Sequence, residues 1–235
     1  MKRQSVILIP AIVLMTSMLA CSTISNFLAT PTPVPTSTPI PTATPTASPF
    51  LLNEADFDSG SCFQSDGVSP SSDVERFSQN GQFHMRINVP NIIAWTVCEN
   101  KEFKDFILEA DVTKIEGPDN NAFGLIFRFN PDTHEFYNFS IGADGYYVLT
   151  EDGLNYEDPK FLVDWDTSPV IKTSASTNHL KLIVIGNKIE YYVNDTLLGS
   201  INDSSLAAGD IGIFASTFDV KGVHVSFDNI KVSQP

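Results

Sequence analysis

The sequence predicts an all-β fold in which two antiparallel sheets pack face to face as a sandwich. From Phe50 onward, short runs alternate apolar and polar residues with the two-residue period of strands. Gly, Asn, Asp and Pro separate the runs, and no window shows a helical period. The clearest predicted strands are residues 82–88, 93–98, 103–115, 122–130, 135–141, 145–150, 180–185, 188–193, 210–216 and 223–232.

Tight turns join several of these strands. Gly186 and Asn187 form a two-residue link between two alternating runs, and Asn194 with Asp195 suits the left-handed conformation of a second tight turn. The segment 143–145 joins a third pair of runs in the same way. So many short strands in successive hairpins predict a two-sheet sandwich.

Alternation also predicts which side chains lie between the sheets. Positions 123, 125, 127 and 129 are Phe, Leu, Phe and Phe, so this face of the strand is assigned to the core. The matching faces of two further strands carry Phe106, Leu108, Ala110 and Val112, and Tyr137, Phe139 and Ile141. Each buried Phe or Leu stabilises the fold by about 1.5–3 kcal/mol, so the aromatic residues are assigned mainly to packing.

The N-terminus has the features of an export signal. Lys2 and Arg3 precede an apolar run at residues 6–20 that has signal-peptide length and is short for a membrane span. The run ends Met-Leu-Ala-Cys-Ser at residues 18–22, which resembles a bacterial lipobox, although Met18 departs from the usual Leu. This predicts a signal peptide over residues 1–20 and lipidation of Cys21, with an unlipidated secreted protein as the alternative.

A Thr/Pro-rich segment follows the cysteine. Residues 30–49 contain seven prolines, which remove backbone donors and favour polyproline II over helix or sheet. At about 3.1 Å per residue this segment spans up to about 60 Å. Residues 21–49 are therefore a predicted linker, and residues 50–235 form the folded domain. The expected location is outside the cytoplasm, with the domain anchored to the bacterial membrane by lipid.

The charge of the chain excludes one class of partner. The formal net charge is −14, and every Asp and Glu lies at or beyond Glu54. No Lys/Arg stripe is present to replace counterions on phosphates, so nucleic-acid binding is excluded. Excess carboxylate serves solubility and is also compatible with Ca²⁺ binding.

Two cysteines remain in the folded domain once Cys21 is lipidated. In an exported protein, Cys62 and Cys98 favour a disulfide, with two free buried thiols as the alternative.

The predicted strands also resemble a known superfamily. The runs FGLIFRFN, EFYNFSIGADGYYVL, HLKLIVIGNKIEYYVNDTLLGSI, GDIGIFA and VSFDNIKV are similar to concanavalin A-like lectin/glucanase domains, especially bacterial 3-keto-disaccharide hydrolase-like and laminin-G-like modules. The resemblance covers about residues 56–232. It implies a jelly-roll sandwich with any ligand on a concave sheet or in rim loops, and carbohydrate as the common ligand class. Its motifs indicate fold far more than function.

One strand face carries candidate ligand contacts. If Phe123, Leu125 and Phe127 point inward, Arg128 points to the other face, and Glu109, Asp111, Asn138 and Ser140 are expected beside it on flanking strands. Sugar hydroxyls require such polar groups, and sugar C–H faces pack on flat rings. The candidate aromatic contacts are Trp95, Tyr146, Trp165 and Tyr192. The alternative is an ordinary solvated sheet face with an Arg–Glu cross-strand pair.

The sequence contains candidate residues for two other chemistries, glycoside hydrolysis and metal or nucleophilic catalysis. Glu109 and Asp111 lie two apart on one strand, about 6.5–7 Å, near the spacing of paired glycosidase carboxylates. Thr113 occupies the next position in phase, and Glu116 is out of phase, which disfavours hydrolysis by this pair. The scattered histidines form no metal or nucleophile motif.

Calcium is the one candidate ion, and no cofactor is required. Its candidate ligands are Asp56, Asp58 and Asp228, because the first and last strands of such sandwiches often run side by side. Asp is equally common in turns, which is the alternative reading.

Three functions remain. The leading hypothesis is a non-catalytic module that binds a polysaccharide or glycan at the cell surface. The alternatives are a glycoside hydrolase of the same fold, and a structural or adhesion module that binds protein or wall polymer.

Overall fold

The computed structural model describes residues 50–54, 56–69, 72–153 and 159–235. The predicted signal peptide, the linker and the lipidation site at Cys21 lie outside these residues. Within the described ranges, no helix has both the length and the apolar character needed to cross a membrane.

The described chain forms fourteen strands and one short 3₁₀ helix, Phe57–Ser59. The strands are β1 (Phe50–Glu54), β2 (Val74–Gln79), β3 (Gln82–Ile87), β4 (Ile93–Phe103), β5 (Phe106–Glu116), β6 (Ala122–Phe129), β7 (Phe136–Gly142), β8 (Tyr146–Asp152), β9 (Lys160–Thr167), β10 (Thr177–Ile185), β11 (Lys188–Val193), β12 (Thr196–Asn202), β13 (Gly209–Ser216) and β14 (Val223–Ser233).

These strands form two antiparallel sheets. The eight-stranded sheet has the order β12-β11-β10-β5-β14-β3-β2, and β1 pairs with the second half of β14 beside β3. The six-stranded sheet has the order β4-β13-β6-β7-β8-β9. The prediction of an all-β, two-sheet antiparallel sandwich is confirmed.

The predicted turns have the expected geometry. Ile185 pairs with Lys188, so Gly186 and Asn187 form the two-residue turn of the β10–β11 hairpin. Asn194 and Asp195 both have positive φ, 49° and 63°, between Val193 and its partner Thr196. Such turns twist in the same sense as the strands and fix their register.

The main core lies between the two sheets. Phe123, Leu125 and Phe127 of β6 are buried there, as the alternation predicts. So are the predicted inward residues of β5 and β7, which are Phe106, Leu108, Ala110, Val112, Tyr137, Phe139 and Ile141.

The prediction for Phe129 is wrong, because the alternation changes phase at the end of β6. Arg128 has φ +52°, and the register with β13 shifts between the pairs Gly212–Ile126 and Asp210–Phe129. Three steps in β6 therefore match two in β13, which is a β-bulge. After the bulge Phe129 lies on the outer face of the six-stranded sheet, in a second apolar cluster with Phe136 and Phe214.

A disulfide links Cys62 to Cys98, as predicted, with the Cα atoms 4.9 Å apart. It joins the loop after the 3₁₀ helix to β4. Cys98 is fully buried in the main core, so the bond anchors this long loop to the sandwich.

Candidate functional site

The predicted ladder of polar residues is divided between the two sheets. Glu109 and Asp111 lie on β5, whose neighbours are β10 and β14 in the eight-stranded sheet. Asn138 lies on β7 of the six-stranded sheet. The chain crosses from one sheet to the other between β5 and β6, so strands that are consecutive in sequence are not paired here. The prediction that these residues share one face is wrong.

Arg128 lies inside the protein and cannot contact a ligand at the sheet surface. It is 1% exposed, and its guanidinium donates to the backbone oxygens of Lys104, Gly186 and Leu206 at 2.7–2.8 Å. The bulge in β6 turns this side chain inward, which alternation alone does not predict. The prediction of Arg128 as a ligand contact is therefore wrong.

Glu109 and Asp111 share a face, as predicted, but both contact the same histidine. Carboxylate oxygens of Glu109 and Asp111 lie 3.4 and 2.8 Å from the ring nitrogens of His179. Asn229 also donates to Asp111 at 2.9 Å. These partners form a polar cluster on the outer face of the eight-stranded sheet, on the opposite sheet from Asn138.

The three candidate calcium ligands each have a local partner. Asp56 accepts a hydrogen bond from the Asp58 amide, Asp58 accepts from the Gly81 amide, and Asp228 accepts from Gln82. In the part of the chain that the structure describes, no three His, Cys, Asp or Glu side chains are grouped to hold a metal ion. In the described structure the three aspartates are therefore not grouped as the predicted shared site, and calcium binding itself stays a prediction.

The four candidate aromatic contacts lie in different parts of the structure. Tyr192 lies on the eight-stranded sheet, where its hydroxyl donates to Glu190 and its ring lies beneath Lys181. Trp95 packs on Phe129 and Phe136 in the outer apolar cluster. Tyr146 is exposed on β8. Of the four, Trp165 borders the cavity described next.

A cavity of about 300 Å³ opens on the outer face of the six-stranded sheet. The described residues that line it come from all six strands of this sheet and from the loops that flank β4, β9 and β13. They are Asn91, Ile93, Ala122, Asn138, Val148, Thr150, Asp152, Pro159, Phe161, Trp165, Phe214, Ser216, Thr217 and Phe218.

Large apolar side chains form the rim of the cavity. Phe161, Trp165 and Phe218 are 48%, 37% and 40% exposed, which is unusual for aromatic residues, and Ile93 is exposed beside them. They come from β9, from the segment after β13 and from the start of β4. Exposed apolar residues that converge on one concave surface indicate a binding site.

The floor of the cavity is polar and almost completely buried. Asn138 and Thr150 face each other across the β7–β8 pair, and Asp152 follows two positions later on the same face as Thr150. Thr150 donates its hydroxyl to Asp152 Oδ2 at 2.6 Å, and Asn138 also forms a hydrogen bond with this carboxylate. Ser140 in turn donates to Asn138 Oδ1 at 2.7 Å. The network holds each polar group in one orientation before any ligand arrives.

The electrostatics of the floor are dominated by Asp152. This side chain is 9% exposed, and burial raises the pKa of its carboxyl above the ordinary value, against the opposing hydrogen bonds from Thr150 and Asn138. A buried carboxyl with a raised pKa in a cavity is typical of functional sites.

Asn138 and Trp165 are the two predicted ligand contacts that the structure brings together. The sequence did not single out Thr150, Asp152, Phe161 or Phe218. Alternation along β8 could have indicated Thr150 and Asp152, because they are in phase with Val148, but the predicted strand ended at residue 150. Phe161 and Phe218 carry no periodic signal, since β9 is largely exposed and Phe218 lies beyond β13.

Comparisons with known proteins support the fold. No protein-family model matches the chain. The structure is similar to the carbohydrate binding module CBM66 from Bacillus subtilis, with a TM-score of 0.57 and 17% identity over 73% of this chain and 95% of that one. It is also similar to a Bacillus licheniformis β-glucanase, with a TM-score of 0.55 and 8% identity over 78% and 98%. A B. subtilis protein of unknown function with a galectin-like fold is similar as well, with a TM-score of 0.52 and 15% identity over 73% of this chain and 98% of that one.

One curated sequence is also similar to the chain. It is a fructan beta-fructosidase from Streptococcus mutans, 24% identical over 168 residues, which are 68% of this chain and 12% of that protein. The chain thus spans a small part of this relative. The fold of the described domain is the jelly-roll sandwich found in carbohydrate-binding modules and β-glucanases.

Proposed function

We propose that the protein is a non-catalytic carbohydrate-binding module that a lipid anchor displays at the bacterial cell surface. The observation that carries this proposal is one cavity in which a buried, hydrogen-bonded polar floor lies beneath an exposed aromatic rim. The floor is formed by Asn138, Thr150 and Asp152, and the rim by Phe161, Trp165 and Phe218.

This arrangement matches the two kinds of surface that a sugar presents. Sugar hydroxyls need fixed donors and acceptors, which the floor supplies, and sugar C–H faces pack against flat rings, which the rim supplies. The cavity is at the lower end of the range of about 300–1,000 Å³ for small-molecule sites. A short part of a glycan therefore fits inside, with the remaining chain in solvent.

The number and position of the carboxylates near the cavity favour sugar binding over sugar hydrolysis. Glycosidases need two carboxyl groups about 5–9.5 Å apart on either side of the scissile bond. Among the described lining residues, Asp152 is the single carboxylate. Glu109 and Asp111 lie on the other sheet and contact His179. The β-glucanase fold keeps hydrolysis as the second candidate, which sugar release from the same polysaccharides would reveal.

Fructan is the first ligand class to test. The curated relative is named for action on fructan, and one structural neighbour is named a carbohydrate binding module. These names describe the other two proteins and do not assign a ligand to this chain. They indicate which polysaccharides should be tested first.

The location at the cell surface is supported by the sequence and by the disulfide. A leader over residues 1–20, followed by Cys21 and a Thr/Pro linker, favours an anchored, extended display. The Cys62–Cys98 bond is typical of oxidising compartments outside the cytoplasm. Metabolic labelling with a lipid precursor tests the anchor, and label on the wild type that is lost in Cys21→Ala is expected.

Binding is tested by calorimetry with neutral fructans and glucans on wild type, Trp165→Ala and Tyr192→Ala. We expect Trp165→Ala to weaken binding about tenfold or more, because a stacking face is lost at the rim. Tyr192→Ala removes an aromatic ring from the opposite sheet and is the matched control, with unchanged affinity expected. Both variants should unfold near the wild-type temperature.

Two results would contradict the proposal. One is the absence of binding to every neutral glycan on a broad array. The other is equal loss of affinity in the Trp165 and Tyr192 variants, which would move the ligand away from this cavity.

A further inference from the structure

The charge of the cavity restricts the sugars that it can hold. Among the fourteen described lining residues, Asp152 is the one ionisable side chain, and Lys, Arg and His are absent from that set. The remaining polar lining groups are amides, hydroxyls and the indole N–H of Trp165. An anionic ligand would therefore meet a carboxylate and no cation, within a chain whose net charge is −14.

The Asp152 carboxylate lines the cavity and can accept more hydrogen bonds than its two described donors supply. An ionised carboxylate offers about four acceptor positions on two oxygens. Thr150 and Asn138 account for two donors. The two oxygens of a carboxylate lie close together in one plane, so this group can accept from two neighbouring hydroxyls of a ligand. Such hydroxyls are donors without charge, which suits a buried floor.

A cationic sugar fits this floor less well than a neutral one. An ammonium group would have to leave water for a cavity whose lining is mainly apolar, and it would find one carboxylate. The desolvation of two buried charges can exceed their attraction. Burial also raises the pKa of Asp152, so the surroundings stabilise its uncharged form and weaken it as a counter-ion.

We infer that the cavity selects neutral sugars with adjacent hydroxyls directed at Asp152, and that it rejects sugars carrying uronate, sulfate or phosphate. This inference rests on the proposed function and names its ligand class. Asp152 is the specificity-determining residue, and Thr150 and Asn138 are positioning residues that orient its carboxylate.

Binding of neutral sugars at Asp152 should depend on pH. Ligand hydroxyls donate to the ionised carboxylate, so binding is strongest when Asp152 is charged. Burial raises the pKa of Asp152 in the free protein, and the neighbouring Glu151 carboxylate, which is paired with Lys160, raises it further. Protonation therefore begins at higher pH than for an ordinary aspartate. The affinity for neutral sugars should therefore fall on acidification, beginning at higher pH than an ordinary aspartate would cause.

The test measures three kinds of probe by calorimetry on the folded protein. They are neutral fructan and glucan oligosaccharides, the same oligosaccharides with primary hydroxyls oxidised to carboxylates, and glucosamine oligomers. We expect the neutral probes to bind about tenfold or more tightly than the oxidised ones, because like charges would be brought together. The glucosamine oligomers should also bind more weakly than the neutral glucan probe.

The variant Asp152→Asn tests the charge of the cavity floor while its shape is kept. It keeps an oxygen acceptor and the size of the side chain, but it removes the ionised form. We expect weaker binding of the neutral probes, a smaller penalty for the oxidised probes and loss of the pH dependence. Asp219→Asn removes one exposed carboxylate next to Phe218 in sequence and is the matched control, with wild-type selectivity expected.

The thermal unfolding midpoint distinguishes this role from a structural one. A buried ionised carboxylate destabilises the fold at neutral pH, so Asp152→Asn should unfold at the wild-type temperature or above it. A lower midpoint would indicate a structural role and overturn the inference. Equal binding of neutral and oxidised probes, or tightest binding of glucosamine oligomers, would also overturn it and leave carbohydrate binding intact. No binding of any probe, together with no binding to any neutral glycan on the broad array, would overturn the proposed function itself.

Discussion

The Arg128 side chain crosses the interior and connects three loops at one end of the sandwich. Its guanidinium donates to carbonyls of the β4–β5 turn, the β10–β11 turn and the segment between β12 and β13. Burial lowers the pKa of Arg128, yet an arginine remains charged at neutral pH. Hydrogen bonds to a charged group contribute about 1.5–3 kcal/mol each, and they offset the cost of burying the guanidinium.

Replacing Arg128 tests this structural role. Arg128→Met keeps the length of the side chain but leaves three carbonyl oxygens without their donor, so the free energy of unfolding should fall by about 3 kcal/mol or more. Urea denaturation measures the loss. Lys181→Met, a partly exposed cation on the outer sheet face, is the control and should change stability by less than about 1 kcal/mol. If Arg128→Met changed the free energy of unfolding little but abolished sugar binding, Arg128 would be a ligand contact and not a structural residue.

At the scale of elements, strands β3 and β14 bring two buried histidines together. His84 Nδ1 lies 3.0 Å from His224 Nε2, and Phe77 of β2 stacks on the His84 ring. The surrounding charges are Arg86 on β3, Glu75 on β2, Glu116 on β5 and Asp58 in the 3₁₀ helix. Burial lowers the pKa of both histidines, that of His224 to about 4, and Arg86 lowers them further.

This pair predicts loss of stability in acid. In the unfolded chain both histidines titrate near pH 6.5, whereas in the folded protein they take up protons at lower pH. The unfolded state therefore binds more protons as pH falls from about 6.5 to about 4, and stability falls over that window. The measurement is urea denaturation across this pH range.

The variant His84→Gln/His224→Gln should show a shallower pH dependence than the wild type. His134→Asn is the control, since His134 lies outside the pair at φ +58°, a conformation that asparagine tolerates. Parallel curves for the wild type and the double variant would show that the pair does not control acid stability.

For the whole molecule, the Cys62–Cys98 bond closes a loop across a sequence separation of 36 residues. The chain-entropy estimate for such a loop is about 3–4 kcal/mol of stability. Cys62→Ala/Cys98→Ala should lower the free energy of unfolding by about this amount in denaturant titrations. The wild type in reductant should show a similar loss, and the double variant should not respond to reductant. Insensitivity of the wild type to reductant would mean that the bond does not form or does not stabilise the fold.

Some elements of this fold are visible in the sequence because their causes are local. The alternation in β5, β6 and β7 and the turn residues at Gly186, Asn194 and Asp195 predict strands, core faces and hairpins correctly. The strands β9 and β12 lack alternating burial, so their pattern is weak. Alternation fails at Arg128, because a β-bulge adds one residue to β6 there. After the bulge, each side chain points to the face opposite to the one that the alternation predicts.

The candidate site depends mainly on contacts between segments far apart in the chain. By itself, the sequence determined the all-β class and most inward-facing residues of the central strands, because strand period and turn chemistry are local. It also favoured the disulfide, because Cys62 and Cys98 are the two cysteines of the folded domain. Only the tertiary structure decided that Glu109 and Asn138 lie on different sheets, and that Asp152 lies beneath Trp165 and Phe218. The physical reason is that strand order and bulge phase follow from packing of the whole sandwich, which places residues together irrespective of their separation along the chain.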